Sequence, residues 1–233
     1  MAIGAGQFKD AFAGMSLIVA VESSSNEYRV VIGRDGEAIF DSAVNDCELP
    51  FRTLGALLSC GLETIDAPVS EIKGVTINIG PGSLTFVRAG ISFVNALAFS
   101  LKVGIYPFNW FEIIAAQTKD ATELPVIAAV PASNDNAYVG LIRGAGVEIM
   151  RFGPLPETFA KVSDGVSEVA VVGRIRRKLA ALLGDEKVVD TGIENPDARV
   201  LLRLGHQAWI GGERSTAQVE ALNDQSEVFY AAD

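Results

Sequence analysis

The stretch Gly80-Pro81-Gly82-Ser83-Leu84-Thr85-Phe86-Val87-Arg88-Ala89-Gly90 decides how this chain is read. Ahead of it, Ile72-Lys73-Gly74-Val75-Thr76-Ile77-Asn78-Ile79 is rich in β-branched residues and bounded by turn formers, which predicts a buried strand. Behind it, an almost wholly apolar run predicts a helix over 85–101. Between them, Gly80 and Gly82 permit backbone angles that other residues avoid, Pro81 stiffens the turn, and Ser83 or Thr85 can cap the helix. A strand-turn-helix of this kind aims free amides and the positive end of a helix dipole at one spot, which suits an anion. It serves equally as a tight joint. The spacing is neither that of the P-loop nor that of the dinucleotide fingerprint, so both readings stay open at this level.

Upstream, Leu17 to Val21, Tyr28 to Gly33 and Glu37 to Val44 read as three strands, with Arg34-Asp35-Gly36 as a hairpin turn. Phe51, Leu54, Leu58, Leu62 and Ile65 recur at spacings of three and four and predict a helix over 49–65, closed by Pro68. Downstream, a helix is expected over 108–117 and a linker over 119–125. Strands follow at 126–130, 137–143, 147–151, 168–172 and 187–190, with helices at 174–183 and 197–210. Three strands in a meander followed by alternating helix and strand therefore occur twice. This is an internal duplication of a mixed α/β unit, with residues 1–14 as an extension and lobes over 15–118 and 119–233.

The run Gly80 to Gly90, continued by Ile91-Ser92-Phe93-Val94-Asn95-Ala96-Leu97-Ala98, resembles the signature of the TsaB (YeaZ) family. Leu17-Ile18-Val19-Ala20-Val21-Glu22-Ser23-Ser24-Ser25 is similar to that family's opening strand and turn, and Glu227-Val228-Phe229-Tyr230 to its closing element. The resemblance implies a two-lobed actin/sugar-kinase-like fold, a duplicated ribonuclease H-like α/β domain. It implies a non-catalytic subunit that assists a TsaD-like enzyme in threonylcarbamoyladenosine modification of tRNA. The partners implied are a TsaD-like protein, a second copy of the chain, or both, with a TsaE-like ATPase as a further one. Through the same resemblance, Glu22, Ser23, Ser24, Gly80, Gly82 and Ser83 mark a weak nucleotide site. Phe51, Leu54, Leu58, Phe86, Ile91, Phe93, Val94 and Leu97 mark a partner interface, at which Phe93→Asp or Val94→Asp is expected to weaken association.

The chain departs from the family pattern in three places. Glu22 replaces the usual aspartate, Phe86 replaces a glycine, and Val130-Pro131-Ala132-Ser133 replaces a strand ending in Asp-Ala-Arg. With no lysine or arginine close behind Glu22, ATP and magnesium are expected to bind weakly, at a subunit boundary, or not at all. A small phosphotransferase or ATPase of the same superfold, and a homodimeric paralogue without the TsaD partner, are the competing functions.

Composition narrows the field further. In 233 residues, 49% are hydrophobic and 21% charged, with a net charge of −10, which suits a globular chain and argues against holding tRNA alone. The only basic cluster, Arg174-Ile175-Arg176-Arg177-Lys178, reads as a solvated helix face or as an acidic-partner or RNA patch. One histidine, His206, gives no base for a nucleophile and no paired metal ligands, and is expected to be a packing or surface residue. Cys47 and Cys60 have no zinc spacing and are expected as buried or half-buried thiols. Asn95, Ser100 and Lys102 interrupt the longest apolar run, and residues 1–14 lack a signal-peptide pattern, so no membrane segment and a cytoplasmic location are expected.

Overall fold

The computed structural model describes residues 16–183 and 188–222, and the backbone of 228–231. The expected extension at 1–14, Lys187 and Glu227 lie outside the described residues.

The chain divides into two compact units. The first combines the described part of Met1–Ile79 with Thr85–Phe108 and Ala198–Ala221; the second takes Gly80–Leu84, Asn109–Asp197 and the chain from Leu222. In the first, β1 (Leu17–Glu22), β2 (Arg29–Arg34) and β3 (Glu37–Asp41) form the meander, and β4 (Ile72–Asn78) and β5 (Gly104–Phe108) extend the sheet in the order β3-β2-β1-β4-β5. β2 runs antiparallel to β1, whereas β4 and β5 run parallel to it. The β2–β3 hairpin closes on Asp35 and Gly36, both at positive φ (52° and 81°), with Arg34 paired to Glu37, the two-residue geometry that suits the sheet's twist.

The second unit repeats the plan. β6 (Val126–Pro131), β7 (Asn136–Arg143) and β8 (Gly146–Pro154) form a meander, and β9 (Val169–Val172) and β10 (Val188–Asp190) lie parallel to β6 beyond it. One more strand, β11 (Val228–Ala231), pairs antiparallel with β8. Two sheets sharing one order and one pattern of directions establish the duplicated actin/sugar-kinase-like α/β fold.

Helices cover both faces of each sheet. In the first unit, α1 (Leu54–Thr64) and α2 (Leu84–Leu101) bury Leu54, Leu57, Leu58, Val87, Ile91, Val94 and Ala98 against Val19, Val21, Val75 and Ile77. The opposite face receives α6 (Ala198–Gly211), although its sequence lies far beyond 119–125. Glycines make that seat: a side chain at Gly33 would strike Leu202, and one at Gly205 would strike Thr76. In the second unit, α3 (Trp110–Thr118) packs Trp110, Phe111 and Ile114 on one face, and α4 (Leu155–Val162) and α5 (Arg176–Leu183) pack Phe159, Val162 and Leu179 on the other.

Several expectations need correction. The helix expected over 49–65 starts only at Leu54, where Thr53 caps it by accepting from the Ala56 amide. The helix expected from Phe108 starts at Trp110, because Gly104–Phe108 is strand and Asn109 forms a capping box with Glu112. Cys47 and Cys60 are not thiols: the loop leaving β3 folds back on α1, brings their Cα atoms to 6.3 Å, and the two are joined as a disulfide. By length and composition Leu84–Leu101 could cross a membrane, but its Val87-Ile91-Val94-Ala98 side is packed on the first sheet.

Candidate functional site

The turn that leaves β1 is built around a carboxylate. Glu22 ends the strand with only 3% of its surface exposed. Its Oε1 accepts from the Ser24 amide and the Ser24 hydroxyl, both at 2.6 Å, and its Oε2 accepts from Asn78 Nδ2 at 2.7 Å. Burial pushes the Glu22 carboxyl above its ordinary range, and the donors from Ser24 and Asn78 pull back against it. Both oxygens thus face protein donors, an inward-turned arrangement rather than an open ligand. Ser23 is fully buried, and its hydroxyl, which has no hydrogen-bond partner among the described residues, presses on Gly90 of α2. A side chain at position 90 would collide with it, so this glycine of the signature lets the helix lie close to the turn.

A raised folded pKa fixes the sign of a test. Glu22 favours folding most when it is protonated, below its ordinary value of 4.5, and that contribution is lost as pH rises through the higher folded value. Glu22→Gln keeps the size and an acceptor for Ser24 while removing the buried charge. Urea denaturation at pH 5 and pH 8 is expected to show a smaller loss of stability with rising pH in the variant than in the parent. An unchanged slope would place the Glu22 charge in solvent.

Asn78 was missed by the sequence reading. Its signal was a lone amide at the end of an apolar strand, a position that asks for a partner once buried.

Gly80, Gly82 and Ser83 belong to the second unit. Gly80 takes φ of 102°, the Gly80–Pro81 peptide is cis, and the Gly80 carbonyl accepts from the Trp110 amide at 2.7 Å. The turn therefore holds the start of α3, which is the joint reading of its glycines. Gly82 and Ser83 are half-buried just before α2.

The expected interface residues separate into two sets. Leu54, Leu58, Ile91 and Val94 face the first sheet in its core. They cannot meet a partner without unfolding, which corrects their inclusion and removes Val94→Asp as a probe of association. Phe86, Phe93 and Leu97 are half-buried, while Phe51 is 78% exposed. Phe99, which was not singled out, is 85% exposed on the last turns of α2. Phe86 lies against Tyr28 with ring centroids 4.9 Å apart. This pair lines a groove of about 940 Å³ together with Arg29, Val44, Asp46 and Arg52.

Behind the groove, Asp41 is almost wholly buried and gathers two arginines. Arg29 donates Nε to Oδ1 at 2.9 Å and pairs with Oδ2 through Nη2; Arg199 of α6 donates Nε to Oδ2 at 2.7 Å. Burial alone would raise the Asp41 carboxyl, but Arg29, the Ala43 amide and Arg199 outweigh it and hold it at about 2.

In the second unit the basic cluster is partly neutralised from within. Arg176 pairs with Asp190 at 2.7 Å and Glu194 at 2.6 Å, and Arg174 donates to Asn195. The Val130-Pro131-Ala132-Ser133 segment runs from β6 into a turn with Asn134 and Asp135 at positive φ. His206 of α6 packs on Trp209 at 5.9 Å. Among the described residues no three His, Cys, Asp or Glu side chains gather as a metal site.

The family described as TsaD, tRNA N6-adenosine threonylcarbamoyltransferase, matches residues 52–166. Proteins with that description from Geotalea daltonii and Geotalea uraniireducens are 27% and 25% identical over 52% and 56% of this chain. The chain spans only 41% and 43% of the length of those two relatives. Among solved structures, YeaZ from Pseudomonas aeruginosa superposes with a TM-score of 0.71 at 22% identity, covering 90% of this chain and 100% of that one. A second structure, a protein with similarity to YeaZ from the same organism, gives 0.70 at 22% identity over 89% and 99%. The duplicated fold of this chain is thus that of YeaZ, as the resemblance of its Gly80–Gly90 stretch implies.

Proposed function

We propose that this chain is a divergent, non-catalytic TsaB-like subunit that pairs in the cytoplasm with a TsaD-like enzyme in threonylcarbamoyladenosine modification of tRNA. The observation that carries the reading is the outer side of α2 on a YeaZ fold, where Phe99 is exposed and Phe93 and Leu97 half-buried, with Phe51 exposed in the loop ahead of α1. Large exposed aromatics suit burial by another protein. The closed carboxylate supports a subunit without nucleotide chemistry of its own, because a magnesium nucleotide at Glu22 would have to displace Ser24 and Asn78. The net charge of −10 supports leaving tRNA to the partner. A TsaE-like ATPase completes the proposed assembly.

Co-elution of the purified chain with the TsaD of its own organism, with and without ATP, tests the pairing, and consistent failure in both conditions rejects it. Phe99→Asp should fold normally and weaken the complex by about tenfold or more, the scale of one interfacial anchor. Unchanged affinity would remove Phe99 from the interface. The homodimer is kept as a second reading, since the same exposed phenylalanines can be covered by another copy; a self-dimer that never exchanges with TsaD favours it. Heat on titration with magnesium-ATP would instead support the ATPase alternative.

A further inference from the structure

We propose that the Cys47–Cys60 bond is a reversible thiol–disulfide exchange site whose state sets the position of residues 46–52 beside the Tyr28–Phe86 groove. Chain on either side of this segment is secured without the bond. Before it, the Val44 and Asn45 amides donate to the Asp41 carbonyl, the Ala43 amide donates to Asp41 Oδ1, and Asn45 Oδ1 accepts from the Asp41 amide. After it, Thr53 caps α1. Within 46–52 the backbone bonds are local, Leu49 amide to Cys47 carbonyl and Thr53 amide to Phe51 carbonyl.

The segment meets the rest of the unit through few described contacts: the disulfide, the packing of Cys47 and Leu49 on the core, and Arg52 Nη2 donating to the Ser42 carbonyl. Asp46, Glu48, Pro50, Phe51 and Arg52 are exposed. Asp46 and Arg52 line the groove, so release of the segment reshapes that wall.

The chemistry is exchange with a dithiol reductant of the thioredoxin class. Cys60 is half-buried on α1 beside exposed Ser59 and Glu63, whereas Cys47 is buried, so attack is assigned to Cys60. One reductant thiolate bonds to Cys60 Sγ while the Cys47–Cys60 bond breaks and Cys47 leaves as a thiolate that takes up a proton. The second reductant thiol then displaces Cys60, which leaves as a thiol, and the reductant departs as its own disulfide. Two electrons and two protons pass to the protein. Oxidation by a disulfide such as oxidised glutathione reverses the sequence.

The experiment compares air-oxidised protein with protein reduced by dithiothreitol and alkylated, following trypsin cleavage after Arg52 by mass spectrometry. Cleavage is expected about tenfold faster in the reduced form, because proteolysis tracks local opening. A Cys47→Ser, Cys60→Ser double variant should follow the reduced protein; should it fail to fold, the alkylated parent carries the comparison. Glutathione buffers of graded ratio should interconvert the two forms. Two free thiols in fully oxidised buffer, equal cleavage rates in both forms, or a bond that glutathione neither opens nor restores would each overturn the proposal. None of these readouts depends on TsaD, so failure of the pairing proposed above is read separately.

Discussion

Val94→Asp is expected to abolish cooperative folding of the first unit. Val94 is fully buried on α2, in one cluster with Val87, Ile91 and Ala98 and with the strand residues beneath them. An aspartate there loses the apolar contact and places a carboxylate where the cluster supplies only hydrocarbon. The cost is about 4 kcal/mol or more, the range reserved for charges placed in a core. That is a large part of the roughly 5–15 kcal/mol that holds a domain together. Circular dichroism during heating should show loss of the sigmoidal transition, while Phe99→Asp, on the exposed side of the same helix, should melt within a few degrees of the parent. A soluble Val94→Asp variant with the parental transition would mean that α2 lies the other way round on its sheet.

The second large effect belongs to Asp41. Its folded pKa, about 2, lies below its ordinary 3.8, so its contribution is complete above about pH 4 and is lost as pH falls through about 2. The shift is equivalent to about 2 kcal/mol. Asp41→Asn keeps the shape but leaves Arg29 and Arg199 without their shared carboxylate. The variant should be less stable than the parent by about 2 kcal/mol at pH 7. In urea denaturation the gap between the two should narrow steadily between pH 4 and pH 2.5. A gap that stays constant over that interval would assign the loss to packing rather than to charge.

Much of the fold was legible because each strand and helix carries its own periodicity. The Asp35-Gly36 turn, the Ile72–Asn78 strand and the apolar run of α2 are local statements, and local chemistry decides them. β5 was harder, since Gly104-Ile105-Tyr106-Pro107-Phe108 contains a proline and runs almost directly into a helix. The Asn109/Glu112 capping box was the available sign of where that helix starts. α4 escaped because Pro154 and Pro156 flank its first residue, Leu155, and read as loop, although proline is tolerated there. The disulfide could not be read from two cysteines thirteen positions apart, because only the return of the β3 loop onto α1 brings them together. For α2, composition gave an apolar helix but not its rotation. Which of Phe93 and Val94 faces inward depends on where Gly90 meets Ser23, a contact between residues distant in sequence. The Glu22–Asn78 bond was hidden for the same reason.

The seat of α6 has a consequence for how the protein is made. The first five strands are complete at Phe108, yet the helix that covers one face of their sheet begins only at Ala198. At roughly 5–20 residues per second on the ribosome, that face waits on the order of 5 to 20 seconds for its cover. Throughout that interval the nascent chain presents an unfinished apolar sheet, a substrate for chaperones. Premature termination anywhere between the two points yields a fragment whose first half has every strand it needs and still cannot close.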